Sequence, residues 1–463
     1  MRARLIHVAV GFVAAFVVLA IADARVQVEQ RASIESHPGD PRHSTSIAQR
    51  GTLLDATGVP LARSAGDRRV YAAGPALAQL VGYASNVYGE SGLEAGLDSI
   101  LSPAAGAQRP MLAPFVGAPP GGPGRGGDVV LTIRSDIAAV VDTALPQDIR
   151  GAAVVLDPRT GAVLAIVNRP TFDPNRLERD WKSLRDRSDA PLLDRGVSGL
   201  YPPGSTFKMV TASAALDSGT VTPDDTFTDP GYFTVGGFPI HNDEGEVTGT
   251  QTVTGAFALS SNVDFAQIGV KLGVAAFYQY LSRFGVGEPI DLTVAAERDE
   301  VPQQNTISDS ELAQMAFGQG SLAVTPLRMA IVAATIADGG SLVQPQFVKQ
   351  IREPGKPPLT IPPATGAQAI SAETADEVRT MMEAVVRYGT GTAAALPNVT
   401  VAGKTGTATH PGGPPDAWFV CFAPAEAPRL VVAVVVENAG YGGVVSAPIA
   451  RAILANALPL YPR

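Results

Sequence analysis

The chain has 463 residues, 45% hydrophobic and 17% charged, enough for two or three domains and a large folded core. A net charge of −9 argues against a nucleic-acid partner, because affinity for phosphates comes mainly from clustered Lys and Arg. One cysteine, Cys421 in "AWFVCFAP", rules out an internal disulfide and reads as a small buried hydrophobe. The five histidines are scattered without metal-ligand spacing, so neither a metal nor another cofactor is called for.

In chain order, the first signal is "LIHVAVGFVAAFVVLAIA", residues 5–22, with no formal charge. As a helix it spans about 27 Å, close to the hydrocarbon core of a bilayer. Arg2 and Arg4 precede it, so the amino terminus stays in the cytoplasm and the body is exported. A cleaved signal peptide is the rival, with "ADA" at 22–24 as its cleavage site, but its apolar region would be shorter. Residues 25–49 are polar and read as a tether. "RGTLLDATGVPLARS" (50–64) has turn chemistry at Ala56–Gly58 between short apolar runs, a hairpin signal. A Pro/Gly-rich stretch from Ser102 ends in "GGPGRGG" (121–127), the clearest boundary in the chain. Its G-x-G-x-x-G match (Gly122, Gly124, Gly127) is accidental, since no strand precedes it and no helix follows.

After the boundary come a strand, "DVVLTI", and a helix, "SDIAAVVDTALP". "GAAVVLDPRTGAVLAIVNRP" reads as two strands joined by a turn at Asp157–Gly161. "YPPGSTFKMV" (201–210) then leads into an Ala-rich apolar helix that stops near Gly219. Near the end, "VTVAGKTGTA", "DAWFVCFAP" and "LVVAVVVEN" are three more strands, and "APIARAILANALPL" closes as a helix. Strands at both ends with helices between them predict an α+β fold, one antiparallel sheet packed against helices.

Lysine usage singles out two positions. Only six of the 35 basic residues are lysine, and lysine, unlike arginine, can lose its proton inside a protein. Lys208 completes S-x-x-K with Ser205, one helical turn apart on the same face, so a buried, neutral Lys208 can take the serine's proton. Lys404 opens K-T-G, with Thr405, Gly406 and then Thr407. Between them stands S-x-N, Ser260 and Asn262. Ser260 suits a proton relay and Asn262 offers a donor and an acceptor to a peptide backbone. Thr405 and Thr407 supply hydroxyls for a carboxylate, and Gly406 lets a substrate backbone come close. The N–H groups of Ser205 and Thr407 suit an oxyanion hole. Any one motif alone would be an ordinary cap or turn; each occurs once, and in this order.

From about residue 128 to 460 the chain resembles the class B penicillin-binding proteins, in "LDPRTGAVLAIVNRPTFDPN", "DRGVSGLYPPGSTFKMV", "FGQGSLAVTPLRMA" and "YGTGTAAALPNVTVAGKTGTA". "RGTLLDATGVPLA" and "SGLEAGLD" resemble that family's N-terminal pedestal, short as in the penicillin-binding protein A type of actinobacteria, although Ala56 stands where an arginine is common. The resemblance implies a stub and anchor (1–24), a tether and pedestal, or dimerisation-type, domain (25–127), and a serine β-lactamase-like transpeptidase domain (128–463). It implies peptidoglycan D,D-transpeptidation, with Ser205 as nucleophile, Lys208 as base, Ser260 in the relay, and Asn262, Lys404, Thr405, Gly406 and Thr407 binding substrate. Partners implied are a stem-peptide donor ending in D-Ala-D-Ala, an amine acceptor, β-lactam antibiotics and a membrane glycosyltransferase of the SEDS type. Three alternatives share the motifs. A β-lactamase needs a water-activating acidic motif, and none is found. A D,D-carboxypeptidase uses water as acceptor. A β-lactam sensor or inactive scaffold fits poorly with one anchor and intact motifs.

Overall fold

The computed structural model describes residues 49–102, 125–364 and 366–461. The apolar segment 5–22, with Gly122 and Gly124, lies outside them. Among the described residues no helix is long and apolar enough to cross a membrane.

The central element is a five-stranded antiparallel sheet in the order Ala402–Ala408, Asp416–Ala423, Leu430–Val436, Gly151–Leu156, Val163–Arg169. Every residue of the inner three strands is buried. Their near-continuous Val, Ala and Phe runs are therefore those of a sheet covered on both faces. Helices Ser135–Ala144 and Ser446–Ala457 pack on it and on each other, as do Pro326–Ala337 and Ala372–Arg387. The strand pair predicted around Asp157–Gly161, the three C-terminal strands and the closing helix all form.

Helix Lys208–Asp217 is buried on every side from Lys208 to Leu216, against helices Asn262–Leu272, Val274–Arg283 and Ala372–Arg387. Its Ala-rich sequence suits that place, since small side chains let four helices meet. A 3₁₀ turn, Gly204–Phe207, leads into it and packs on the edge strand Ala402–Ala408.

The second sheet has six strands in the order Leu359–Thr360, Val348–Arg352, Asp128–Leu131, Leu53–Leu54, Pro60–Ala65, Arg68–Tyr71. The hairpin expected in 50–64 is its Leu53–Leu54/Pro60–Ala65 pair, closed by Asp55, whose carboxylate accepts from Thr57 and Val59. A division at Gly127 runs through this sheet, because Asp128–Leu131 and two strands from far along the chain are hydrogen-bonded into it. Local composition marks a linker but cannot report a pairing between residues more than 200 positions apart. Beneath the sheet, Arg50 and Glu94 bring together the two segments "RGTLLD" and "SGLEAGLD": Arg50 Nε donates to Glu94 at 2.7 Å, and Arg69 Nε to the carboxylate's other oxygen at 2.7 Å.

Candidate active site

Ser205 ends up buried, 8% exposed, at the junction of two cavities of about 430 and 210 Å³. The turn that holds it is cramped. Gly204 has φ +52°, and a Cβ there would lie 2.8 Å from the Thr407 carbonyl oxygen. Only glycine takes that backbone without strain or clash.

Lys208 Nζ, on a fully buried side chain, lies 2.9 Å from Ser205 Oγ. It donates to the Ser260 carbonyl oxygen at 2.6 Å and to Asn262 Oδ1 at 2.8 Å, with Ser260 Oγ at 3.3 Å. All these partners are neutral, and Lys208 makes no ion pair among the described residues. The face of Phe265 closes the remaining side, 5.5 Å away. Burial therefore dominates and brings the ammonium down to about 7, although Asp243, Asp264 and Asp229 pull the other way.

Lys404 Nζ is also fully buried, 2.8 Å from Ser260 Oγ and 5.5 Å above the ring of Phe257. Burial, and then the like charge of Lys208, push its proton affinity well below that of a free lysine. The Ser260 hydroxyl thus sits between two lysine nitrogens. Ser260 itself is held at φ 63°, ψ 33°, left-handed backbone that a non-glycine residue adopts at a cost.

Thr405, Gly406 and Thr407 lie on the free edge of the sheet, and Thr405 and Thr407 face the larger cavity. A Cβ at Gly406 would lie 2.9 Å from the Pro203 carbonyl oxygen, the Thr206 methyl and the Trp418 Cβ. The glycine is required by the protein's own packing of the serine turn on the strand. All eight residues singled out from the sequence, Ser205, Lys208, Ser260, Asn262, Lys404, Thr405, Gly406 and Thr407, converge here.

Others were not singled out. Thr390 Oγ1 is 2.6 Å from Thr405 Oγ1, and Thr390 lines the larger cavity. It stands in "YGTGT", a run that resembles the family but carries no motif chemistry of its own. Asp243, Glu244 and Tyr441 also line that cavity, with the Tyr441 hydroxyl donating to Glu244 at 2.7 Å. Gln319 and Thr409 bridge across the smaller one at 2.8 Å. Nothing in these polar loops distinguishes them from ordinary turns.

The comparisons with known proteins agree with this constellation. Residues 151–455 match the family described as penicillin binding protein transpeptidase domain, and residues 50–119 match the penicillin binding protein A dimerisation domain. The peptidoglycan D,D-transpeptidase PbpA of Mycolicibacterium smegmatis is 33% identical over 96% of this chain and 97% of its own. PbpA of Mycobacterium tuberculosis is 34% identical over 84% of each. Among solved structures, penicillin-binding protein A from M. tuberculosis as a ceftriaxone acyl-enzyme superposes with TM-score 0.80 at 32% identity, covering 90% of this chain and 99% of that one. The D,D-transpeptidase domain of a peptidoglycan glycosyltransferase from Eggerthella lenta gives 0.81 at 34% identity, over 89% and 99%. The chain belongs to the penicillin-binding protein transpeptidase family.

Proposed function

We infer that the protein is a peptidoglycan D,D-transpeptidase that works through an acyl-enzyme on Ser205. One observation carries the assignment of Ser205: a wholly buried lysine with neutral partners only lies 2.9 Å from its hydroxyl. With its proton affinity at about 7, such a lysine is neutral in a substantial fraction of molecules at neutral pH, and a general base must be both neutral and within hydrogen-bond reach.

In the first half-reaction neutral Lys208 takes the Ser205 proton as Oγ attacks the carbonyl of the penultimate D-Ala. The N–H groups of Ser205 and Thr407 receive the developing oxyanion. The proton passes through Ser260 Oγ to the departing amine, and the terminal D-Ala leaves with its C–N bond broken. Lys404, Thr405 and Thr407 hold that residue's carboxylate, and Asn262 orients the donor backbone. In the second half an amine from a neighbouring stem peptide attacks the ester and passes its proton back along Ser260 and Lys208 to Ser205. A new amide has formed and the serine is free. β-Lactams present the same carbonyl tethered to its leaving group, so they stop at the acyl stage. The ceftriaxone, imipenem and penicillin G acyl-enzymes of the M. tuberculosis relative support that step.

The uncharged segment 5–22 after Arg2 and Arg4 supports a single membrane anchor with the catalytic body on the extracytoplasmic side. A cross-linking enzyme also needs a supply of glycan chains, which supports a membrane glycosyltransferase of the SEDS type as partner. A membrane pull-down that recovers no glycan polymerase contradicts that part.

The test of the reaction is a fluorescent penicillin with peptide mapping by mass spectrometry, Ser205→Ala alongside. A long-lived adduct on Ser205, absent from the variant, is expected. Rapid loss of label would indicate a hydrolase, and no label on folded protein would overturn the assignment.

A further inference from the structure

Behind the S-x-N turn lies a carboxylate that no motif includes. Asp229 ends the strand Thr226–Asp229 and is completely buried. Its Oδ1 accepts from the Gly231 N–H at 2.7 Å. Its Oδ2 accepts from three donors: the Asn242 side-chain amide, the Thr248 hydroxyl at 2.8 Å and the Ser261 hydroxyl at 3.0 Å.

Two of those donors cap helix Asn262–Leu272. Ser261 Oγ accepts from the Asp264 N–H at 3.0 Å, and Asn242 Oδ1 accepts from the N–H groups of Asn262 and Val263 at 2.8 and 3.2 Å. A carboxylate only accepts, so it dictates how both caps point. Asn242 must turn its NH₂ to Asp229 and its oxygen to the helix, and Ser261 must spend its proton on Asp229 and keep a lone pair for the helix. The start of the helix, and with it the Ser260 carbonyl and the Asn262 amide that grip Lys208, depends on one buried charge.

We propose that Asp229 is a positioning residue for the reaction, locking the Ser260–Asn262 turn onto Lys208. The inference rests on the acylation of Ser205 proposed above. The charged groups about Lys208 are Asp229, Asp243 on the turn Asp243–Gly245, Asp264 on its helix, and Lys404 on the edge strand. Asp264 is itself buried, and burial, helped by the nearby Asp229 and opposed by the Ser261 hydroxyl, holds it at about 6. Hydrogen bonds from Asn242, Thr248, Gly231 and Ser261 outweigh burial at Asp229 and keep it below the usual carboxylate range.

The test measures the second-order rate of Ser205 labelling by fluorescent penicillin between pH 5 and 9, on the full chain in detergent. Asp229→Asn, Ser261→Ala and the control Asp225→Asn, a half-buried carboxylate bonded to Thr222 within its own turn, are compared with the wild type. Asp229→Asn should label on the order of 10²-fold more slowly, the cost of a misplaced catalytic group. The rising limb of its profile should move to lower pH, because a negative charge facing Lys208 is gone. Ser261→Ala keeps that charge and should be slower, while Asp225→Asn behaves as wild type. A wild-type rate and profile for Asp229→Asn overturns the proposal. So does a slow variant whose limb moves to higher pH, the sign of simple loosening that lets water reach Lys208. Should Asp229→Asn not fold, a wild-type rate for Ser261→Ala overturns it instead. Failure of the wild-type chain to label at Ser205 overturns the acylation reading, and this inference with it. A labelled wild type beside an indifferent Asp229→Asn overturns this inference alone.

Discussion

Among the described residues, two groups of buried cations treat their protons in opposite ways. Under the N-terminal sheet, Arg50 is 2% exposed and meets Glu94, Asp98 and Glu90. Burial alone would weaken its hold on the proton, but Glu94 and the other carboxylates strengthen it beyond that of a free arginine. In the cleft, Lys208 is buried as deeply, yet its nitrogen meets a hydroxyl, a carbonyl and an amide oxygen, and its proton is loosened to about 7. Burial is common to both; the charge on the acceptors decides the outcome. The first cluster is a structural clamp and the second holds a base.

Exchanging the residue types breaks the comparison most sharply. Lys208→Arg puts into the cleft a cation that cannot give up its proton, and acylation of Ser205 should fall by roughly 10²–10⁴, the range of a lost general base, as read by stopped-flow labelling. Glu94→Gln does the reverse experiment, leaving Arg69 buried beside a neutral group and Arg50 with Asp98 and Glu90 alone. It should destabilise the fold by about 3–5 kcal/mol in denaturant titration, while the protein that remains folded acylates at the wild-type rate. A smaller effect is expected at the cleft wall: Thr390→Val removes the hydroxyl 2.6 Å from Thr405 and should slow labelling by about fivefold, one hydrogen bond's worth. Smallest is Arg176→Ala, which deletes an exposed ion pair to Asp180 at 3.2 Å and should shift stability by no more than about 0.5 kcal/mol.

The sequence showed the cleft better than it showed what supports the cleft. Ser205, Lys208, Ser260 and Lys404 were legible because their chemistry limits the residue types and their spacing is local. The five-stranded sheet was legible because its strands are long apolar runs. Asp229 was not, although it anchors the same turn. It lies in a short polar strand with half its residues exposed, and its decisive bond is to Ser261, 32 positions away. The six-stranded sheet was missed in part for the same reason, since Val348–Arg352 pairs with Asp128–Leu131 across a separation that no local pattern records. Gly406 shows a third limit: the sequence pointed to a close approach, but not to the protein's own Pro203, Thr206 and Trp418 as neighbours that crowd the position.

The measurement that bears most directly on the central claim is the pH dependence of Ser205 acylation in the wild-type chain. A base is active when neutral, so lowering its proton affinity to about 7 makes the rate climb as pH rises through that value and level off above it. A single rising limb near pH 7 with a plateau by pH 9 is the predicted result. A rate flat from pH 5 to 9, or one still climbing toward pH 10 as for an ordinary lysine, would contradict the assignment of Lys208 as the base.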